Sequence, residues 1–178
     1  MHRSPLLNLL DSYQPQAPEE HVYKEQITQF VKHHPQCFDR TLEIGHITAS
    51  SWLLNKSGTH ALLTHHAKLN AWFQLGGHCD GDADVLAVAL KEAQEESGIM
   101  HIKPIAPAIF DIDIHLIPAN SRERAHYHYD IRFLLQVMSD EEFVQSAESK
   151  ALAWVSQDKT QLPTQERSIT RMFDKWVR

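Results

Sequence analysis

The run Gly77-His-Cys-Asp-Gly-Asp-Ala-Asp-Val-Leu-Ala-Val-Ala-Leu-Lys91-Glu92-Ala93-Gln94-Glu95-Glu96-Ser97-Gly98-Ile99 opens on a glycine-rich loop and closes on three carboxylates. Glu92, Glu95 and Glu96 stand at i, i+3 and i+4, so on a helix they leave one face within a turn of each other. Like charges that close repel unless a cation sits among them. Oxygen donors of this kind suit Mg²⁺ or Mn²⁺, which keep several waters and also bind substrate phosphate. Glycines ahead of the helix let backbone come close to a ligand. A solvated acidic patch is the competing reading of an E-x-x-E-E run. The loop before the run and the Gly98 stop after it favour the metal site.

These residues resemble the Nudix box: glycine, five residues, Glu, seven residues, then Arg-Glu-hydrophobic-x-Glu-Glu-x-Gly-hydrophobic. Gly77, Glu92, Glu95, Glu96, Gly98 and Ile99 match at the right spacing, and the chain is identified as a member of that superfamily. Three positions depart from the pattern. Ala83 stands where the first Glu belongs, Lys91 replaces the Arg, and Ala93 is a small version of the hydrophobic residue. Lys keeps the charge and loses the planar fork that clamps a carboxylate. Asp82 and Asp84 flank Ala83 as short-reach substitutes. The resemblance implies an α/β fold, an α/β/α sandwich with a mixed sheet over residues 41–178. Residues 1–40 then form an N-terminal helical extension of one compact domain.

Composition sets the outer limits. A chain of 178 residues is long enough to bury a core as one domain. Its formal net charge of −6 argues against a nucleic-acid backbone as partner. Two cysteines, Cys37 and Cys79, make no disulfide framework, and Cys79 beside the box reads as a packing thiol. No apolar run has the length of a membrane span, and the start lacks the core and cleavage site of a signal peptide. A cytoplasmic protein with a small phosphorylated substrate is expected, with no membrane partner and a homodimer as one option. Thirteen histidines are the oddity, and their positions must decide between pH sensing, metal binding and drift.

Periodicity predicts helices over 4–13 and about 19–33, the second opened by Pro18-Glu19-Glu20 and striped by Val22, Gln26, Ile27, Phe30 and Val31. Strands are expected from Gly45 to Leu54 and His60 to Thr64, across the turn Asn55-Lys-Ser-Gly58. Asp82 is the expected N-cap of the box helix, with Val85, Leu86, Ala89 and Ala93 facing a core. Strands over about 105–117, 125–138 and 151–156 follow. A helix then runs over about 164–177, with Ile169, Phe173 and Trp176 on one side.

A second, narrower resemblance links His46-Ile-Thr-Ala-Ser-Ser-Trp-Leu-Leu-Asn55, Trp72 and Gly77-His78 to the isopentenyl-diphosphate isomerases of the same superfamily. It implies a divalent metal on His46 and His78. Alternation puts His126, His128 and Asp130 on one strand face, and Asp111, Asp113 and His115 on one face of the strand before. His126 and His128 are thus further candidates for a second, transition-metal site, since imidazole favours Zn, Mn, Fe or Ni over Mg. Polar contacts without metal are the alternative. Isomerase activity itself is disfavoured, because Gly76 stands where that enzyme's proton-donating cysteine would be and E-x-x-E-E is intact.

The expected reaction is therefore metal-dependent hydrolysis of a diphosphate linkage in a small nucleoside diphosphate-X compound, with a non-catalytic nucleotide sensor as the third reading. Glu92, Glu95 and Glu96 would hold Mg²⁺, and Glu95 or Glu148 would take the proton from the attacking water, with Glu142 as substitute. Substrate contacts are expected from Lys68, Trp72, Gly76, Gly77 and Arg132. Tyr127 is a second stacking candidate, and Arg122 and Arg124 are further phosphate candidates.

Overall fold

The computed structural model describes residues 2–67, 69–120, 124–145 and 149–178. Two helices come first, α1 (Ser4–Ser12) and α2 (Pro18–His33). Strands β1 (Gly45–Leu54), β2 (His60–His66), β3 (Ala71–Phe73) and β4 (Leu75–His78) lead to the box helix α3 (Val85–Ser97). Strands β5 (Ile102–Ile117), β6 (His126–Val137) and β7 (Ser149–Ser156) precede the terminal helix α4 (Arg167–Trp176). None of the described helices is long and apolar enough to cross a membrane.

The seven strands form one mixed sheet with the spine β3-β2-β1-β6-β5, to which β4 adds beside β1 and β7 beside β2. β1 and β6 run parallel, pairing His46 with His128, Thr48 with Asp130 and Ser50 with Arg132. β5 lies antiparallel on the outer side of β6, pairing His115 with His128 and Asp113 with Asp130. β4 pairs with the middle of β1, Thr48 against His78 and Ser50 against Gly76.

Every residue of β1 is buried, so both faces of this central strand need cover. Ile47, Ala49 and Leu53 point into the larger core with Ile131, Phe133 and Leu135 of β6 and Val85, Val88, Ala89 and Ala93 of α3; α1 and α2 supply Leu6, Leu10, Ile27, Phe30 and Val31. Trp52 and Leu54 point the other way, into the smaller core that α4 closes with Ile169, Met172 and Phe173, Trp176 packing at its edge. Those two helical layers complete the α/β/α sandwich. Val22, read as part of the α2 stripe, is exposed instead.

Two expectations change. The box helix is capped by Asp84, whose carboxylate accepts the Ala87 N–H at 3.1 Å, while Asp82 accepts the Asp84 N–H at 2.9 Å in the turn before. Each acid thus has one carboxylate oxygen engaged at the helix start. The strands β3 and β4 were absent from the expected elements. Gly98 ends α3 as read: at φ 73° it takes the left-handed conformation and donates to the Gln94 carbonyl at 2.8 Å.

A buried charged layer ties the first helices to the sheet and to α4. Arg132 meets Asp130 at 2.7 Å, Asp111 at 3.1 Å and Asp113 at 3.3 Å. Arg171 bonds Asp111 at 2.8 Å and Asp113 at 3.0 Å. Lys175 reaches Asp111 at 2.6 Å, the Tyr13 hydroxyl at 2.8 Å and the Glu20 carboxylate. These ions are out of water and survive there because each is matched by several partners.

Candidate active site and histidine cluster

The site is built on the face of β1 that carries His46, Thr48 and Ser50 before Trp52 and Leu54. Period-two alternation brings His126, His128, Asp130 and Arg132 of β6, and Gly76 and His78 of β4 with Gln74 just before it, to the same face. Asp130 organises the middle of it. Its carboxylate accepts from Thr48 at 2.9 Å, Ser50 at 2.5 Å, Gln74 at 3.1 Å and Arg132 at 2.7 Å. Gln74 was not singled out in the sequence, although alternation with His78 across Gly76 was the signal that places it.

The box carboxylates approach β4 at consecutive residues. A Cβ on Gly77 would lie 2.4 Å from Glu92 Oε2, so the Glu92 carboxylate rests against bare Cα. Glu96 Oε2 accepts the Gly76 N–H at 3.3 Å. Glu95 is more exposed and lies 3.8 Å from Lys91, a long surface pair in place of an Arg clamp. The next residue of β4, His78, belongs to the imidazole group. The strand is thus a seam between an all-oxygen donor set and an all-nitrogen one.

Among the described residues, one group of three or more metal-ligating side chains has its donor atoms within 4.8 Å of one another: His46, His78 and His128. The His46 ring centre is 5.0 Å from His78 and 4.7 Å from His128. His126 and His115 stand behind this trio, 5.1 and 5.3 Å from the His128 ring. Burial, and after it the crowd of neighbouring imidazoles, pushes the His128 pKa down to about 2. It is therefore neutral at physiological pH, the state in which imidazole ligates.

Other expected site residues lie elsewhere. Arg132 is 1% exposed and paired with three aspartates, so its guanidinium is committed to the charged layer and away from any phosphate. Tyr127 leaves the opposite face of β6 from His126 and His128 and lines a groove with Phe30 and His33 of α2. Trp72 stacks on His65 with ring centres 5.1 Å apart, on the same strand face as Gln74. Arg124 is exposed, 3.5 Å from Glu43. Glu142 is exposed in the segment before β7. Burial pushes the Cys79 thiol well up, with nearby Asp130 and Asp82 adding to the effect, which agrees with a packing role. Lys68, Arg122 and Glu148 lie outside the described residues.

A family model described as the NUDIX domain matches residues 45–177. The chain belongs to the Nudix family, and is an enzyme of its pyrophosphohydrolase class. Its fold is that of several solved structures. An Ap4A hydrolase from C. elegans superposes with TM-score 0.58 at 15% identity, covering 74% of this chain and 94% of that one. A NUDIX-family hydrolase from Clostridium perfringens does so with TM-score 0.58 at 23% identity, covering 74% and 96%. The E. coli dihydroneopterin triphosphate pyrophosphohydrolase gives TM-score 0.56 at 12% identity, covering 74% and 94%. No curated protein matches the sequence. The residues ahead of the matched segment are those of α1, α2 and the turn before β1.

Proposed function

We propose that this enzyme hydrolyses the diphosphate linkage of a small nucleoside diphosphate-X compound, using a divalent ion held by Glu92, Glu95 and Glu96. The observation that carries the reading is the approach of Glu92 and Glu96 to adjacent bare backbone positions, Gly77 and Gly76. The donors are all carboxylate oxygens, the set Mg²⁺ or Mn²⁺ takes. An ion so held supplies charge neutralisation for the diphosphate and a more acidic water.

The chain's own residues supply the rest. The absence of a side chain at 77 lets the Glu92 carboxylate lie against β4, and the Gly76 N–H donates to Glu96, so both box carboxylates are held at the strand. Glu95, the most solvent-accessible of the three, takes the proton as water oxygen attacks phosphorus and the bond to the bridging oxygen breaks; Glu148 is the alternative acceptor. Isomerase chemistry is disfavoured on geometry as well as sequence. A side chain at position 76 would meet Ser50 Cβ at 2.2 Å and the Ala49 carbonyl oxygen at 2.7 Å, which leaves no place for a cysteine.

A panel of nucleoside diphosphate compounds assayed for phosphate release with Mg²⁺ and then Mn²⁺ identifies the substrate. Glu95→Gln and Glu96→Gln should each keep the fold and lose about 100-fold or more in kcat. Full activity in both would refute the assignment.

The histidine trio is read as a second site, for a transition metal with imidazole ligands. Three imidazole donors drawn from β1, β4 and β6 within 4.8 Å support it. Protein purified without an affinity tag should carry close to one equivalent of metal, lost in a His78→Ala, His128→Ala double variant. Less than about a tenth of an equivalent in the parent at about pH 8 would make these residues polar wall.

A further inference from the structure

His126 is close to the trio without belonging to it. Its ring centre is 5.1 Å from those of both His46 and His128, and it is 8% exposed. What its two nitrogens touch fixes how it is protonated. Nδ1 lies 2.8 Å from the Arg124 carbonyl oxygen. A carbonyl only accepts, so a neutral His126 carries its proton on Nδ1 and presents a lone pair at Nε2.

That Nε2 stands 3.2 Å from Nε2 of His128. Two lone pairs facing each other at that distance repel, so the contact is attractive only when His128 Nε2 carries a proton. His128 is then the Nε2–H tautomer, and its remaining lone pair is on Nδ1. His115, on the other side, is directed towards Asp113, 3.5 Å from its Nδ1.

We propose that His126 is a positioning residue for the histidine site: the relay from His128 through His126 to the Arg124 carbonyl fixes the tautomer and ring plane of His128, so that Nδ1 is its metal-binding atom. A second-layer partner of this kind holds a ligand ring in register and raises its basicity. The inference rests on the metal reading of His46, His78 and His128. The tautomers themselves, however, exist without metal and are measurable without it.

The first measurement is long-range ¹H–¹⁵N correlation on chelator-treated, ¹⁵N-labelled protein at about pH 8.5, above the ordinary imidazole pKa of about 6.5. His126 should show the Nδ1–H pattern and His128 the Nε2–H pattern. His128 found as Nδ1–H, or as an even mixture, would overturn the relay. The second is Co²⁺ titration followed by visible absorption. His126→Phe, which removes the acceptor and keeps a ring, should mix the His128 tautomers and weaken Co²⁺ binding about 10- to 100-fold, with stoichiometry and spectrum unchanged. His126→Gln, which restores an acceptor oxygen, should recover part of that loss. If His126→Phe instead alters the Co²⁺ spectrum as His78→Ala does, His126 is a ligand and the proposal fails. No Co²⁺ uptake by the parent would overturn the metal reading, and the relay's purpose with it, whatever the tautomers show.

Discussion

Replacing Lys175 with Met probes the buried charged layer with little change of volume. The Lys175 side chain is 3% exposed, and its ammonium donates to Asp111 at 2.6 Å, the Tyr13 hydroxyl at 2.8 Å, the Phe110 carbonyl at 3.2 Å and Glu20. Asp111 keeps Arg132 and Arg171 after the change. Glu20 loses its closest cation and retains the Tyr13 hydroxyl at 2.5 Å and the Gln16 and Ala17 N–H groups at 2.7 Å. Burial would raise the Glu20 pKa, yet the hydrogen bonds from Lys175 and Tyr13 outweigh it and bring the value from 4.5 down to about 2. A carboxyl moved that far is worth about 3 kcal/mol of folding stability at neutral pH. Breaking a buried pair by removing one partner costs about 3–5 kcal/mol, which agrees. For a chain of this size that is a fall in Tm of roughly 6–12 °C.

The sign of the pH dependence follows from the depressed value. Glu20 stabilises the fold above its ordinary pKa near 4.5, and that contribution is lost as pH falls through about 2. Urea melts of parent and Lys175→Met should therefore differ by about 3 kcal/mol at neutral pH, and the gap should close between about pH 4.5 and 2. Adding Glu20→Gln to the variant should return part of the loss, because the buried carboxylate that lost its ammonium partner is then replaced by a neutral group. A neutral-pH difference below about 1 kcal/mol, or one unchanged down to about pH 2, would refute the view that this layer holds α2 against α4.

Two substitutions test the box from its backbone side. Gly77→Ala sets a methyl 2.4 Å from Glu92 Oε2, the far end of a flexible side chain, so melting should be unchanged while the carboxylate is displaced. A loss of about 10- to 100-fold in kcat/KM is expected, as for any catalytic group moved by about 1 Å, and unaltered kinetics would show that Glu92 does not act from this position. Ala83→Glu should keep turnover within about tenfold of the parent, or about 1.4 kcal/mol, since three carboxylates already supply the charge. If it switches on an otherwise inactive protein, the natural chain is a binding module instead.

The parts of this molecule legible in its sequence are those whose cause is local. The box helix is one, because its carboxylates, apolar stripe and Gly98 stop all lie within a few turns. The parts that were not legible depend on partners far along the chain. Arg132 looked like a phosphate contact, and what commits it are Asp111, 21 residues away, and the charged layer that α4 completes. Asp82 and Asp84 are equally good caps by type, and only the true start of the helix chooses between them. β3 and β4 are three and four residues long, too short for a period to declare itself.

β1 hides its message differently. Both its faces are buried, so the usual alternation of apolar and polar is missing. One face instead runs from His46 through Thr48 and Ser50 to Trp52 and Leu54. A sequence of polar groups out of water must be matched by partners, since an unmatched one costs about 1–3 kcal/mol. Thr48 and Ser50 are matched by Asp130. His46, at the other end of this face, is packed among the rings of His78, His126 and His128. Imidazole rings crowd together in this way at the cost of solvation, and a shared cation would repay it. That is the physical reason for looking for a metal at the histidine end of β1 as well as at the carboxylates of α3.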